Sequence, residues 1–330
     1  MYICLSHIPY FENPYLLLMK NSYQTKIVFL DGDTLGDTSL DPIRQRGDLT
    51  VYPRTRQDQV IERIADCDVV IVNKVLIRKQ EIDAAPNLKL ICVAATGVNN
   101  VDVAYASEKG IPVRNVAGYS TESVVQVTFM HLLNLFGQGN YFDQRIKNGT
   151  YTQEGLFTDL SRSFREINGK TIGIIGMGTI GQRVAAIATA FGMRVCYYST
   201  SGTSHCKTYP SVSLDELLSQ SDVISIHAPL NTTTKGLLTL EHLQKMKPTA
   251  FLINMGRGGI VVEKDLAQAL MNGHLAGAAT DVFEQEPIPA DHPYLQVGEK
   301  LLLTPHIGWA SVEARDLLVK KLADNISLDK

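Results

Sequence analysis

The chain has 330 residues, of which 45% are hydrophobic and 20% charged, and its formal net charge is −3. That length suits about two domains, and the composition provides enough apolar side chains for two ordinary globular cores. A slightly acidic balance lacks the basic footprint of a nucleic-acid binder, so neither nucleic acid nor a membrane surface is expected as a partner. Five cysteines (Cys4, Cys67, Cys92, Cys196 and Cys206) are odd in number, scattered and free of C-x-x-C spacing. They read as reduced thiols of a cytoplasmic protein, not as a disulfide framework or a zinc site. The eight histidines show no ligand spacing, and no metal is expected.

In chain order, "YLLLM" (15–19) is too short for a signal-peptide core and has no basic stretch before it. Residues 1–24 read as an extension, with Met19 a candidate start, because regular patterning begins at "KIVFLDGD". From Lys26 to Gly118, short runs rich in Val, Ile and Leu ("KIVFL", "LTVY", "DVVIV", "LKLICVAA", "IPVRNV") predict strands. Between them 58–67, 78–86 and 100–110 predict helices. A long amphipathic helix is predicted from Thr121 to about Lys147, opened by an S/T-x-x-E/Q-like start at "STES". The polar, turn-rich stretch 148–170 reads as a connection between domains.

A second alternation follows. Strands are predicted at "TIGIIG", "RVCYY", "DVISIHA", "AFLINM", "AGAATDV" and "KLLLTPH", with helices at 179–191, 213–220, 240–246, 262–272 and about 311–325. Strict alternation of strand and helix implies α/β architecture: two Rossmann-like domains, each a doubly wound parallel sheet covered on both faces.

"GIIGMGTIG" places Gly176, Gly178 and Gly181 in G-x-G-x-x-G spacing between a strand and a helix. The three glycines allow, in turn, a tight bend, close approach of a pyrophosphate and close packing of helix on strand, and the helix N-terminus meets the phosphate charge. About 20 residues on, where a carboxylate normally holds the NAD ribose, the chain has Ser199, followed by Thr200 and Ser201. Without that carboxylate a 2′-phosphate is not repelled, and the hydroxyls could donate to one. His205 and Lys207 stand close in sequence. The cofactor is therefore NAD or NADP, with the choice open.

Three further polar signatures fall at the C-terminal ends of later strands, where doubly wound sheets bind ligands. "INMGRGG" offers Arg257, "GAATDVFEQEP" offers Asp281 and Glu286, and "TPHIGWAS" offers His306. Arg257 presents a planar fork suited to a carboxylate. His306 is the candidate acid/base, because imidazole titrates near neutral pH.

These stretches in this order, with "ATGVNNVD" and "GYSTESV" upstream, resemble the D-isomer-specific 2-hydroxyacid dehydrogenases from about Lys26 onward. "LDGDTL", "GYSTESV" and "HIGWAS" look most like the glycerate dehydrogenase/hydroxypyruvate reductase branch. The resemblance implies a nucleotide domain (121–308) inserted into a substrate domain (1–120 and 309–330). It implies a small 2-oxo or 2-hydroxy acid as substrate, a homodimer, Glu286 paired with His306, and Asp281 holding the nicotinamide amide. Gly97 and Val98 would cradle the substrate carboxylate through their N–H groups. Thr96, Thr121, Thr179, Ile180, Ala228, Pro229 and Met255 match cofactor-contact positions. Two other readings use the same fold: a phosphite dehydrogenase, and an NAD(H)-sensing binding protein of the corepressor kind.

Overall fold

The structure is a computed structural model that describes residues 24–203 and 206–326. The readings of residues 1–23, including Met19 and Cys4, and of His205 lie outside the described residues. The backbone divides into two compact units: residues up to Ala117 with those from Leu318, and Gly118–Leu317.

The first unit is a five-stranded parallel sheet of β1 (Lys26–Phe29), β2 (Asp48–Val51), β3 (Val69–Val72), β4 (Leu90–Val93) and β5 (Val113–Asn115), in the order β2-β1-β3-β4-β5. Strands β3 and β4 are buried at every position, as strands covered on both faces must be. The helices are α1 (Asp41–Arg44), α2 (Val60–Ile64), α3 (Lys79–Asp83) and α4 (Val103–Glu108). The last three are shorter than the sequence pattern suggests. The first turn of the 58–67 stretch is 3-10, at Gln57–Gln59. Asp102 starts α4 late, its carboxylate accepting from the Tyr105 N–H at 3.1 Å.

The strand order reverses between β1 and β3, and there a buried carboxylate ties the two following loops. Asp31, 5% exposed, accepts the N–H groups of Asn73 (2.9 Å), Lys74 (2.6 Å) and Val75 (3.1 Å). Burial pushes its pKa up, against the pull of those three donors. Asn100 extends the tie, its Nδ2 donating to the Val75 carbonyl at 3.0 Å.

The second unit is a six-stranded parallel sheet: β6 (Thr171–Ile175), β7 (Arg194–Tyr198), β8 (Val223–Ile226), β9 (Phe251–Asn254), β10 (Gly277–Thr280) and β11 (Leu301–Leu303). Its order is β11-β10-β9-β8-β6-β7. Ser211 adds a parallel bridge to Tyr197, so one strand of a 3-2-1-4-5-6 dinucleotide sheet is reduced to a single residue pair. Helices α5 (Thr121–Gly137), α6 (Gly139–Lys147), α7 (Thr150–Glu154), α8 (Thr179–Ala190), α9 (Leu214–Gln220), α10 (Leu240–Gln244) and α11 (Glu263–Met271) follow, and α12 (Val312–Asn325) closes the chain. One face of the sheet is covered by Val125, Phe129 and Leu132 of α5 with Val184 and Ala188 of α8. The other is covered by Leu217, Leu243 and Leu266 of α9 to α11.

Three expectations are corrected here. The single helix from Thr121 to Lys147 is two, because Gln138 turns left-handed (φ 56°) between Gly137 and Gly139, where helix propensity is lowest. Ser120 is the residue before α5, but its side chain makes no capping bond. The stretch 148–170 lies inside the second unit, held by Arg145, which pairs with Glu154 at 2.5 Å and with Asp159.

Asp31→Ala would leave three N–H groups, that of buried Asn73 and the part-buried ones of Lys74 and Val75, without their acceptor. The expected loss is about 1–3 kcal/mol in urea denaturation of the first unit. An unchanged midpoint would mean that the loops hold themselves.

Candidate active site

The glycine turn after β6 can be tested position by position. Gly176 has φ 94°, and a Cβ there would stand 2.7 Å from the Ala228 nitrogen, at the end of the neighbouring strand β8. A Cβ on Gly181 would stand 2.2 Å from the Gly176 carbonyl oxygen. Gly178, by contrast, is exposed, and a Cβ there would meet nothing within 4 Å. Two glycines are thus required by the fold itself, while the third leaves open space at the N-terminus of the 12-residue helix α8, which no side chain caps. Thr179 and Ile180 form the first turn of that helix, whose free N–H groups suit a phosphate. The turn and Ala228-Pro229 lie where the strand order reverses between β6 and β8, the usual ligand position in such sheets. The residues present fit a dinucleotide.

After β7, the Ser199 hydroxyl donates to the Thr203 carbonyl at 2.7 Å, so in this conformation its proton is already committed. No acidic side chain occupies positions 199–203. Thr121 opens α5. Met255 is buried after β9 against the turn 306–308: a Cβ on Gly308 would stand 2.9 Å from its methyl carbon.

Arg257 follows β9 in a loop held by Asn254, whose Oδ1 accepts from Gly256 N at 3.1 Å and whose Nδ2 donates to the Arg257 carbonyl at 3.1 Å. Its guanidinium donates to the Gly256 carbonyl at 2.8 Å and forms no ion pair among the described residues. The positive charge bears on Tyr119, whose hydroxyl pKa burial nonetheless pushes up to about 12. The Tyr119 ring meets Trp309 edge-on at 6.4 Å. Through Tyr119, Arg257 and the turn after β11 therefore belong to one end of one sheet.

That turn carries His306. Its Nδ1 lies 2.7 Å from Glu286 Oε2, while Glu286 Oε1 accepts the Phe283 N–H at 3.0 Å. His306 is one of two non-glycine residues with positive φ (54°) among those described. Asp281, 2% exposed, surrounds it with bonds: Thr304 Oγ1 (2.6 Å) and Ile307 N (2.8 Å) donate to Oδ1, and Gly308 N (2.7 Å) to Oδ2. With Nδ1 taken by the carboxylate, Nε2 of His306 has no partner among the described residues and is free to exchange a proton.

After β4, neither Gly97 N nor Val98 N donates to any described residue, so both amides are available. Thr96 donates to the Val116 carbonyl at 3.3 Å.

Comparison with known proteins places this arrangement. Residues 129–308 match the family described as "D-isomer specific 2-hydroxyacid dehydrogenase, NAD binding domain". The hydroxypyruvate reductase of Blautia hydrogenotrophica is 39% identical over 311 residues, covering 91% of this chain and 95% of that protein. This chain belongs to the D-isomer-specific 2-hydroxyacid dehydrogenases. The glycerate dehydrogenase of Methylorubrum extorquens is 36% identical over 307 residues, covering 91% and 95%. Among solved structures, an NADPH-dependent glyoxylate/hydroxypyruvate reductase from Sinorhizobium meliloti, in complex with NADP and malonate, is similar with a TM-score of 0.78 at 27% identity, covering 92% of each chain. The dehydrogenase falls in the glycerate dehydrogenase/hydroxypyruvate reductase branch and is an NAD(P)-dependent oxidoreductase acting on CH–OH groups.

Several residues that shape this dehydrogenase's site were not singled out in the sequence. Gly258 lets the Arg257 loop touch the Glu286 loop: a Cβ there would stand 1.9 Å from the Phe283 carbonyl carbon. Glu263, at the start of α11, accepts the Glu284 N–H and His292 Nε2, both at 2.8 Å. The doubled glycine of "GRGG" was the available signal for the first. Glu263 had none, since its partners are 21 and 29 residues away. His227, after β8, is buried enough that its pKa falls to about 3, so its ring is neutral at pH 7.

Two glycine variants separate fold from ligand. Gly178→Ala should keep wild-type stability and weaken NAD(H) or NADP(H) binding about tenfold or more, read by fluorescence titration. Gly181→Ala should unfold at lower urea, because its Cβ meets backbone. Equal effects of the two on stability would contradict the distinction.

Proposed function

We propose that the protein reduces small 2-oxo acids, hydroxypyruvate and glyoxylate foremost, to 2-hydroxy acids of the D series, with His306 as acid/base, Glu286 as its partner and Arg257 binding the carboxylate. The observation that carries the reading is the 2.7 Å bond from His306 Nδ1 to Glu286, which leaves Nε2 as the proton-exchanging atom. The carboxylate holds the ring in one orientation. When the carbonyl carbon becomes tetrahedral, the carbonyl oxygen gains charge and takes the Nε2 proton. Among the described residues Arg257 has no acidic side chain to satisfy, so its fork can serve an incoming carboxylate and the oxygen beside it. The amides of Gly97 and Val98, free among the described residues, are assigned to carboxylate binding by their place in "ATGVNNVD".

The cofactor is held at Gly176, Gly178, Thr179, Ile180 and Gly181, with Ala228, Pro229, Met255, Thr96 and Thr121 as further contacts and Ser199 and Thr200 on the ribose side. NADH or NADPH, when bound, supplies the hydride. Asp281 is assigned to the nicotinamide amide through the lone pair that its three donors leave over.

The test is a panel of hydroxypyruvate, glyoxylate, pyruvate, formate and phosphite with both reduced or both oxidised cofactors. The reading requires turnover of the 2-oxo acids. His306→Gln should cut it by about two to four powers of ten while cofactor binding survives, and Arg257→Ala should impair both KM and kcat. Turnover of phosphite alone, or tight NAD(H) binding without any turnover, would replace the reading.

A homodimer is part of the proposal. The second unit exposes Leu156, Phe157 (98% exposed), Leu160 and Phe164 in one loop, Met130 and Leu133 on α5, and Phe191 just after α8. Apolar groups in such number call for a covering surface. Light scattering should report twice the chain mass, and a monomer at micromolar concentration would remove the dimer.

A further inference from the structure

His131 lies in α5, 2% exposed and remote in sequence from His306, Glu286 and Arg257. Its Nε2 stands 3.1 Å from Thr304 Oγ1, and that hydroxyl stands 2.6 Å from Asp281 Oδ1. The direction of this chain follows from counting protons. A hydroxyl has one proton, and an ionised carboxylate can only accept, so Thr304 donates to Asp281. Thr304 must then accept from the imidazole, which requires the proton on Nε2 of His131. Burial lowers the pKa of this ring, with the Asp281 charge acting in the opposite sense, so the neutral single-donor form is the one present at pH 7.

Asp281 in turn accepts Ile307 N at 2.8 Å and Gly308 N at 2.7 Å, the two amides after His306. We infer that His131 is a positioning residue for the reaction: through Thr304 it fixes the Asp281 carboxylate, and through that carboxylate the turn that holds His306 in its left-handed conformation. This rests on the reading of His306 as the acid/base. The three-link chain runs from the helix face to the turn, and His131 itself is assigned to neither substrate nor cofactor. Loss of the His131 donor frees the Thr304 hydroxyl to rotate away from Asp281. The carboxylate can then shift, and the imidazole drifts from the orientation that proton transfer requires.

The experiment uses the full chain with His131→Leu, His131→Gln, Thr304→Val and the double variant H131L/T304V. Kinetics on hydroxypyruvate are combined with amide hydrogen exchange over residues 304–309. His131→Leu should lower kcat on the order of tenfold with KM nearly unchanged, and speed exchange at Ile307 and Gly308. His131→Gln, which restores a donor, should recover most of both. The double variant should lose no more than Thr304→Val alone, since both cut one chain. An unchanged kcat with unchanged exchange in His131→Leu overturns the inference, and so does additivity in the double variant. Equal losses in the Leu and Gln variants would show a packing role and overturn it as well. Should His131→Leu fail to fold, the Thr304→Val and His131→Gln pair decides by the same two readouts. If the wild type turns over no 2-oxo acid, the proposed function fails on its own, and the exchange arm still decides whether His131 holds the turn.

Discussion

One carboxylate holds the His306 end of the second unit together. Asp281 is buried, and its two oxygens gather a hydroxyl and two amides from the five residues Thr304–Gly308. A left-handed backbone at a residue with a Cβ costs about 1–2 kcal/mol. Three charge-assisted hydrogen bonds, each worth about 1.5–3 kcal/mol, are enough to offset it. His306 sits at φ 54° within that turn, and its ring reaches Glu286 because the backbone is bent this way. A straight continuation of β11 would carry the imidazole elsewhere.

Close backbone approach does the corresponding work for the neighbouring loops. Gly176 lies against Ala228, and Gly258 against Phe283, at separations that no side chain could share. The first contact brings the turn after β6 onto the end of β8. The second sets the loop of Arg257 on the loop of Glu286. Glu263 and His292 then lock the far side of the Glu286 loop with a buried hydrogen-bonded pair. The functional side chains proper are left with spare capacity: among the described residues, a guanidinium without an ion pair and an imidazole with one free nitrogen.

The two units solve the same topological problem with different chemistry. Each reverses strand order once, and at each reversal two loops must be joined across a gap between parallel strands. In the first unit Asp31 spans it by accepting three amides. In the second, glycine removes the gap. A carboxylate leaves little room for an anion, whereas bare glycine next to a helix N-terminus invites one. This difference accounts for dinucleotide chemistry on the second sheet.

Strands such as "DVVIV" and "DVISIHA" were legible because a buried parallel strand must be apolar at every position, a rule that needs no partner to be known. The glycine turn was legible for a similar reason, since tight turns and close approaches leave a local mark. Helix ends were less so: a left-handed Gln138 between two glycines and a capless Ser120 are decided by packing, not by propensity. The sequence by itself determined the doubly wound sheets, the dinucleotide turn, and Arg257, Glu286 and His306 as the charged residues at strand ends. Only the tertiary structure decided that Asp281 anchors the turn of His306, that His131 stands behind it, and that Asp31 and Glu263 brace their loops. The reason is that a hydrogen bond between residues 20 to 173 apart depends on the register of strands and helices, and no residue carries that register alone.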